Sequence, residues 1–473
     1  MHPMSQSTID PRDARIERLE RVVTELQTKL EKAERTITRL QTENTSLKTQ
    51  LEKLKRQHAK SIPAPFSKGT HKTNPQPSGR KKGVGNFTYR TPPAVSEINR
   101  FIQVQNQFLT CPDCAGTLVD AGTSKAWVTD IPEMIKPVVT EYEIKLKRCP
   151  CCSRIVRGFH EEVGHDQIGV SAHRLGARVK ALSNWLHHDK NVSLRAVPGI
   201  LKATFGIHTT QSALTKDALK HGRTDFLGLY EKLRNNVKTA IVTHTDDTGW
   251  RIKGNSAFMM AFKTPSEVVY QIRDSHTNVE VREVIGDDYQ GTLVTDRFSS
   301  YDHAKLVSVK QQKCVGHIQR NLKEALETRL GRARDFPLRL KGVFKGAVRL
   351  HQRLRSGELS FSEVKSKGRR FQRELTKLLE ERVLSKANAS LRAGLAKHHA
   401  RGNLLRFLVE ESVEPTNNAA ERVIRSSVRY RKVSGCSKTN DGARAYCVYK
   451  SLIETAKLNG RSGLEFLTQV YLE

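Results

Sequence analysis

Three carboxylates stand where predicted secondary-structure elements begin or end, and together they could hold divalent cations: Asp246, Asp296 and Glu421. Asp246 follows an apolar, β-branched run over 239–245, and Asp296 follows a shorter run over 292–295; both runs are typical of buried strands. Glu421 lies in the first turn of a predicted helix that begins after a polar segment. A phosphoryl-transfer site with two ions needs several hard oxygen ligands of this kind.

Glu421 also has a purely structural interpretation. If Asn418 is the N-cap, Glu421 falls at the third helical position and can return a hydrogen bond to the backbone N–H of the cap. It can also pair with Arg425 one turn further along the helix. This stretch alone leaves both interpretations open.

The strands around the two aspartates suggest a fold. Residues 256–263 and 267–274 have the pattern of two further strands, so a hairpin separates Asp246 from Asp296. Two strand-end acids, a hairpin between them and a later helix-borne glutamate form the layout of a ribonuclease-H-like nuclease or polynucleotidyl transferase. The sequence therefore predicts a multidomain α/β protein. Its ribonuclease-H-like catalytic core is divided into a first part over 238–320, a basic, all-helical insertion over 321–410 and a core helix over 411–437.

Asp246 is followed directly by a second acid, Asp247, and a turn is predicted just after them at Gly249. Adjacent residues of an extended strand point to opposite faces. Only one of the two acids can therefore face the ions unless the strand has already turned.

Four motifs carry a resemblance to a known family: DDTGW at 246–250, VTDRFSSYD at 294–302, CVGHIQRNL at 314–322 and NNAAER at 417–422. With the N-terminal heptads and paired cysteines described below, the chain resembles the DDE transposases of the insertion-sequence sixty-six family. Asp247 stands where that family usually has Glu, and CVGH replaces a more common Cys-Trp-x-His.

The resemblance implies a DNA transposase that cleaves element ends and transfers strands, with two Mg²⁺ or Mn²⁺ ions held by Asp246, Asp296 and Glu421. It leaves Asp247 to orient the turn or to bond a backbone N–H. The substrates would be the terminal inverted repeats of a mobile element and a target duplex, and accessory proteins of the same element would be further partners. Two other functions stay open: a catalytically silent DNA-binding protein derived from a transposase, and a structure-selective nuclease of the same fold.

The charge balance points to a polyanionic partner. The chain carries 81 Lys and Arg against 49 Asp and Glu, a net charge of +32 with a pI of about 10.0, which favours nucleic acid. No apolar run reaches the roughly 18 residues of a spanning helix, and no signal peptide is evident. We expect a cytoplasmic, nucleoid-associated protein with no membrane partner. In that reducing compartment the eight cysteines are metal ligands or core thiols.

Two basic clusters are candidates for DNA contact. The first lies on the predicted helix after Glu421 and comprises Arg425, Arg429 and Lys432. The second is GRKKG, within a basic, flexible linker over 59–98, and comprises Arg80, Lys81 and Lys82. A short basic cluster in a flexible arm can lie along phosphates or enter a minor groove, although a solvated tail has the same composition.

The N-terminal region, 12–58, has the pattern of a coiled coil. Apolar residues alternate at spacings of three and four from Ile16 to Leu54, and Asn44 occupies one a position, where a buried amide pair fixes a parallel two-stranded register. The alternative is a monomeric amphipathic helix packed on the core. The strict 3.5-residue repeat favours a homodimer or a higher oligomer.

Two Cys-x-x-Cys pairs define a predicted zinc-binding domain over 99–160. Their four thiolates describe a small, four-cysteine structural zinc site with two strands between the pairs, within 127–147: Cys111, Cys114, Cys149 and Cys152. Cys151 lies next to Cys152 and could replace it as the fourth ligand.

Three further segments complete the chain. The region 165–237 is predicted to be helical and contains a possible helix-turn-helix around Phe205 and Gly206, although an ordinary helical hairpin fits equally well. Cys314 and His317 could ligate a metal, but two side chains make a poor site, so a packed strand end is favoured. Residues 438–473 form a predicted helical tail that caps the core.

Overall fold

The computed structural model describes residues 11–59, 92–132, 135–158, 160, 175–383 and 385–472. It divides into two compact units, Met1–Thr129 and Asp130–Glu473, which are described separately. Arg80, Lys81 and Lys82, with most of the predicted linker, lie outside the described residues. Within the described ranges, no helix combines the length and apolar character that crossing a membrane requires.

The first unit is dominated by one long helix, α1 (Pro11–Ala59). The seam leucines from Leu19 to Leu51 are more than half exposed along this helix; Leu26, for example, is 58% exposed and Leu40 is 52% exposed. The helix therefore carries an unburied apolar stripe. The unit also contains a short 3₁₀ turn at Val95–Glu97 and the first Cys-x-x-Cys turn, flanked by a bridge between Thr110 and Thr117.

The second unit combines twelve α-helices and seven strands in the described residues. The helices are α2 (Ala177–His188), α3 (Val197–Phe205), α4 (Gln211–Arg223), α5 (Asp225–Lys238), α6 (Asn278–Ile285), α7 (Val315–Thr328), α8 (Asp335–Arg355), α9 (Phe361–Glu380), α10 (Lys386–Ala400), α11 (Asn418–Ser434), α12 (Asn440–Leu458) and α13 (Gly463–Leu472). The strands are β1 (Leu146–Arg148), β2 (Ile155–Arg157), β3 (Val242–Ile252), β4 (Asn255–Lys263), β5 (Val268–Arg273), β6 (Thr292–Thr295) and β7 (Lys310–Lys313).

The main sheet has five strands in the order β5-β4-β3-β6-β7. β3, β4 and β5 form an antiparallel meander, whereas β6 and β7 add in parallel on the other side of β3. The four strands predicted at β3 to β6 and the strand leading into α7 are all present. The sheet is therefore mixed, with its longest strand in the centre.

β3 is longer than the sequence predicted. We expected a turn at Gly249, but Gly249 pairs with Phe258 of β4 in the middle of the ladder, and the strand continues to Ile252. The turn comes at Lys253 and Gly254, whose φ angles of 53° and 84° suit a tight hairpin. Pairing along the whole of β4 outweighs the weak strand preference of one glycine.

Helices cover both faces of the sheet. One face packs Trp250, Met259 and Tyr270 against residues of α11 and α12. The opposite face packs Met260, Phe262 and Leu293 against residues of α5, α6 and α13. Successive strand residues alternate between these two cores, as the pleat requires. This arrangement decides which acids share a face.

Helix α12 covers the open edge of β5. Ser451 Oγ accepts a hydrogen bond from the backbone N–H of Tyr270 at 2.9 Å, and Thr455 Oγ1 accepts one from Val268 at 2.9 Å. These hydroxyls satisfy edge N–H groups that would otherwise be available to another strand. The tail predicted to cap the core is thus a central, largely buried element.

The predicted insertion over 321–410 is helical in every regular element that the structure describes there. It has its own apolar core, formed by residues such as Phe344, Leu375 and Leu395, and this core is continuous with Val242 and Val294 of the sheet. The insertion is therefore packed on the sheet through one shared core.

Two smaller predictions have local outcomes. α3 is capped by Gly206, which has a φ of 68°, and α4 begins after Thr210, whose side chain accepts a hydrogen bond from the backbone N–H of Ala213 at 3.2 Å, as the predicted turn required.

Two strands were expected within 127–147, but among its described residues only Leu146 and Lys147 belong to a strand. That strand, β1, pairs instead with β2, which follows the second cysteine pair.

Candidate active site

Asp246 lies on β3, and Asp296 directly follows β6, the parallel strand next to β3. The last residues that pair between the two strands are His244 and Val294, and each aspartate comes two residues later in the chain. Because side chains alternate along a strand, each aspartate shares the face of the residue two positions before it. The register therefore brings both carboxylates to the same face of the sheet, at the end of β6.

α11 brings Glu421 to these aspartates, but not as the capping box considered above. The N-cap is Asn417 rather than Asn418, so Glu421 is the fourth helical residue and its side chain returns no hydrogen bond to the cap. The interpretation of Glu421 as the third residue of a capping box is therefore wrong. Its expected pairing with Arg425 is present as a loose contact of 3.8 Å between Nη2 and Oε2.

Asn417 and Cys314 join the three acid-bearing elements. Asn417 Nδ2 donates to the carbonyl oxygen of Thr245 at 2.6 Å, and its backbone N–H donates to Cys314 Sγ at 3.2 Å. The backbone N–H of Cys314 in turn donates to the carbonyl oxygen of Thr295 at 2.7 Å. Thr245 and Thr295 immediately precede the two aspartates. One chain of hydrogen bonds therefore sets the relative positions of all three acids.

The electrostatics show that the acids share one field. The pKa of Asp246 is raised to about 7, first by burial and then by the negative charges of Asp247, Glu421 and Asp296, in that order of importance. Like-charged carboxylates near one another oppose ionisation unless a cation is present. Carboxylate oxygens are ligands for hard divalent cations, and such a cation would offset the repulsion between the carboxylates.

Asp247 faces the other side of the sheet. Its Oδ2 lies 3.3 Å from Nδ1 of His276, a buried residue just before α6. The His276 ring stacks on Phe298 with centroids 4.7 Å apart and planes 9° from parallel. We expected Asp247 to orient a turn or to bond a backbone N–H; its partner is instead an imidazole held in place by an aromatic ring.

A buried lysine lies behind Asp296. Lys313 Nζ is 3.3 Å from Thr295 Oγ1 and 3.5 Å from Asp302 Oδ1, and burial lowers the pKa of Lys313 to about 8 although the acids around it oppose that shift. Asp302 also accepts from Lys397 of α10 at 2.7 Å. The loop after Asp296 is therefore tied to β7 and to the insertion. Nothing in the sequence pattern indicated this role for Lys313.

Glu421 also lies beside Cys314 and His317. One ligand atom from each of the three residues lies within 4.8 Å of the others, and Nε2 of His317 is 4.0 Å from Oε1 of Glu421. Burial alone would raise the pKa of the Cys314 thiol, but His317 and nearby N–H groups lower it, while the thiol raises the pKa of His317. The pair expected to be only a packed strand end thus gains a third partner from a distant helix.

The basic residues of α11 divide by exposure. Arg425, Arg429 and Lys432 are exposed and recur on one side of the helix, as their spacing requires. Arg431 is half-buried and donates to Thr248 Oγ1 at 2.8 Å and to the carbonyl oxygen of Gly249. We call Arg425, Arg429 and Lys432 the basic stripe. Arg431 instead anchors the helix to β3.

The first cysteine pair forms a tight turn in the first unit. The backbone N–H of Cys111 donates to the carbonyl oxygen of Gly116 at 2.9 Å, and Ala115 takes a left-handed conformation with a φ of 59°. The backbone N–H groups of Asp113 and Cys114 lower the pKa of the Cys111 thiol. Such donors stabilise a thiolate, which is the form that binds metal.

The second pair forms the same turn in the second unit. The backbone N–H of Cys149 donates to the carbonyl oxygen of Arg154 at 2.8 Å, and Ser153 has a φ of 57°. The backbone N–H of Cys152, followed by that of Cys151, lowers the pKa of the Cys149 thiol, and the Cys152 side chain contributes as well. Cys152 therefore holds the position that Cys114 holds in the first turn.

Comparison with known families decides the identity. A family model described as "Transposase IS66 family" matches residues 173–445, more than half of the chain. The chain belongs to the IS66 transposase family. The resemblance drawn from the four motifs is confirmed, and the matched segment of this IS66 transposase includes Asp246, Asp296 and Glu421.

A curated protein is also similar to this IS66-family chain. It is described as "Uncharacterized protein y4qI", from Sinorhizobium fredii (strain NBRC 101917 / NGR234). The two are 24% identical over 222 residues, which cover 44% of this chain and 40% of that protein. The chain thus aligns with less than half of the length of this relative.

Proposed function

We propose that this transposase cleaves the DNA ends of a mobile element and joins them to a target by phosphodiester chemistry at Asp246, Asp296 and Glu421. The observation that carries the proposal is the chain of hydrogen bonds through Asn417 and Cys314, which joins the residues before Asp246 and Asp296 to the start of the helix that bears Glu421. Burial and then the neighbouring acids, including Glu421 and Asp296, also raise the pKa of Asp246 to about 7. Three acids from distant parts of the sequence therefore act on one another at a single place.

The sheet supports a ribonuclease-H-like core. Its three antiparallel strands β3, β4 and β5 are followed by β6 and β7 in parallel, and Asp246 lies on the central strand. The crossover from β5 to β6 runs through α6. We propose this fold class on the strand order and on the position of the acids.

Asp246, Asp296 and Glu421 would hold two Mg²⁺ or Mn²⁺ ions. When bound, such ions polarise the phosphate and lower the pKa of an attacking water or 3′-hydroxyl. The chain itself supplies the oxygen ligands and fixes their positions through Asn417 and Cys314. No side chain needs to act as a covalent nucleophile.

DNA would lie along exposed basic surfaces. The basic stripe begins one turn after Glu421, so a DNA backbone that reaches the three acids would also reach Arg425 and Arg429. Arg80, Lys81 and Lys82, the helix pair α3–α4 and the basic insertion are further proposed contacts. The net charge of +32 supports a large electrostatic share of the binding free energy.

Two features would support assembly and folding. The unburied apolar stripe of α1 supports a homodimer or higher oligomer through a coiled coil. The matching turns around the cysteine pairs support structural zinc, with thiolate ligands from Cys111, Cys114, Cys149 and Cys152. Accessory proteins of the same element are proposed only from the family.

One assay separates the proposed reaction from its two rivals. Purified protein is incubated with labelled DNA carrying element ends and with a target plasmid, with Mg²⁺ or with EDTA. The proposal predicts Mg²⁺-dependent cleavage and joined products. Cleavage without joining would favour a structure-selective nuclease, and binding without cleavage would favour a silent DNA-binding protein.

A further inference from the structure

We infer that Cys314, His317 and Glu421 form a second metal site, which binds zinc and thereby withdraws Glu421 from the proposed Mg²⁺ site. Zinc would then be an inhibitor of the transposase. The existence of the site stands on the cluster alone, whereas the inhibition rests on the proposed function of Glu421.

The geometry is close to that of a zinc site. The three ligand atoms lie within 4.8 Å of one another, and the His317 Nε2 to Glu421 Oε1 distance is 4.0 Å. Ligand atoms around one tetrahedral zinc, with bonds of about 2.0–2.3 Å, stand roughly 3–4 Å apart. Small side-chain rotations of His317 and Glu421 would therefore close the cluster on an ion.

The local fold holds two of the ligands in place. Cys314 is buried at the end of β7, where its Sγ accepts from the Asn417 backbone N–H and its own N–H donates to Thr295. His317 follows on the first turn of α7, on the same side of the helix as the thiol. Its Nδ1 is buried, and its side chain interacts with the Cys314 thiol.

The site is open on one side. Cys314 is 1% exposed, but the side chains of His317 and Glu421 are 30% and 24% exposed, so an ion can reach the cluster from the surface. Three protein ligands leave a fourth position for water, as in exchangeable rather than closed zinc sites.

The donor set selects the metal. A thiolate and an imidazole favour zinc and similar transition metals, whereas Mg²⁺ prefers oxygen ligands alone. Glu421 is the only member of the cluster that both kinds of ion would use. A carboxylate turned toward a zinc at Cys314 is no longer free to serve an ion held by Asp246, so the two occupancies compete.

The test counts zinc first, in the full-length protein and without DNA. Zinc is titrated against a chromophoric chelator into wild type, Cys314→Ser, His317→Gln and Cys436→Ser. Cys436→Ser is the matched control because it removes a half-buried thiol outside the cluster. Circular dichroism melting shows which variants are folded, and either cluster variant alone is sufficient for the comparison.

Wild type and Cys436→Ser should bind one more zinc per chain than the cluster variants. Removing a group that only supports a ligand weakens metal sites by about 10–100-fold, so removing a ligand should weaken this one at least about a hundredfold. Equal zinc binding by wild type and the folded cluster variants would overturn the site, whatever the protein does to DNA.

The second measurement is the ratio of Mg²⁺-dependent cleavage with zinc to cleavage without it. Zinc should reduce this ratio in wild type and Cys436→Ser, and much less in a cluster variant. Equal inhibition in all of them would overturn the shared role of Glu421. If wild type binds the extra zinc but never cleaves DNA, the site stands and the proposed function fails.

Discussion

Asn417 donates its side-chain amide to the carbonyl oxygen of Thr245, 2.6 Å away, and so fixes the start of α11 to the residue that precedes Asp246. Asn417 is completely buried. Glu421 follows one helical turn later. The distance between the helix acid and the strand acid is therefore set by one buried amide.

The first prediction concerns this amide. Asn417→Ala removes the donor and leaves a buried carbonyl less satisfied, which should lower the free energy of unfolding by about 1–3 kcal/mol. It should also reduce Mg²⁺-dependent cleavage, because Glu421 loses its fixed position. Denaturant unfolding and the cleavage rate are the measurements. Asn418→Ala is the matched control, since Asn418 is the next residue and its side chain is exposed. Equal effects of the two substitutions would contradict the role of Asn417.

The second prediction concerns Asp246 and pH. Its folded-state pKa is raised from 3.8 to about 7, first by burial and then by neighbouring acids. A carboxyl whose pKa is raised in the folded state lowers the free energy of unfolding as pH rises, because the same carboxyl ionises at a lower pH in the unfolded state. In buffer without Mg²⁺ or Mn²⁺, this loss should begin near pH 4, grow up to about pH 7 and then level off.

Asp246→Asn removes this pH-dependent loss of stability. About three pKa units correspond to at most on the order of 4 kcal/mol, so the variant should melt at a higher temperature than wild type at pH 8, with little difference at pH 4. Melting curves at several pH values test this. A difference in melting temperature that is the same at every pH would show that Asp246 is not a repelled, buried acid.

The third prediction distinguishes Cys152 from Cys151. Cys152 occupies the turn position equivalent to that of Cys114, whereas Cys151 does not, so Cys152→Ser should lose zinc and stability because a structural zinc contributes directly to folding. Cys151→Ser should keep both. Elemental analysis of protein purified without added metal gives the zinc content. Zinc loss in the Cys151 variant alone would reverse the assignment.

The fourth prediction concerns the basic stripe. Replacing Arg425, Arg429 and Lys432 with alanine should weaken DNA binding. It should also flatten the plot of the logarithm of the binding constant against the logarithm of the salt concentration, by about one unit of slope for each phosphate that is no longer neutralised. Fluorescence anisotropy at several salt concentrations measures both. Val433→Ala is the control, because Val433 is 63% exposed on the same turn and carries no charge. An unchanged salt slope in the triple variant would place the DNA elsewhere.

Short-range patterns predicted much of this fold. Apolar β-branched runs located the strands that carry Asp246 and Asp296, and the polar segment before Glu421 located the start of α11 to within one residue. Each of these signals lies within a few residues of the chain. They were sufficient to bring the three acids together as a hypothesis.

The missing features depend on partners that are distant in sequence. Asn417 rather than Asn418 becomes the N-cap because its side chain reaches Thr245, which no local pattern records. Asp247 meets His276 only after β3, β4 and β5 have formed. Cys314 and His317 looked like a poor metal site because their third partner, Glu421, follows the whole insertion.

The central claim is that Asp246, Asp296 and Glu421 do the chemistry together, and cleavage of labelled element ends by single variants tests it most directly. Asp246→Asn, Asp296→Asn and Glu421→Gln should each reduce the cleavage rate by at least about a hundredfold while DNA affinity and the zinc held by the four paired cysteines are retained, since a missing ligand misplaces the ion. Asp247→Asn, whose side chain faces His276 across the sheet, should keep measurable activity. Cleavage by Glu421→Gln at the wild-type rate, or loss of cleavage in Asp247→Asn with activity retained in Asp246→Asn, would contradict the account.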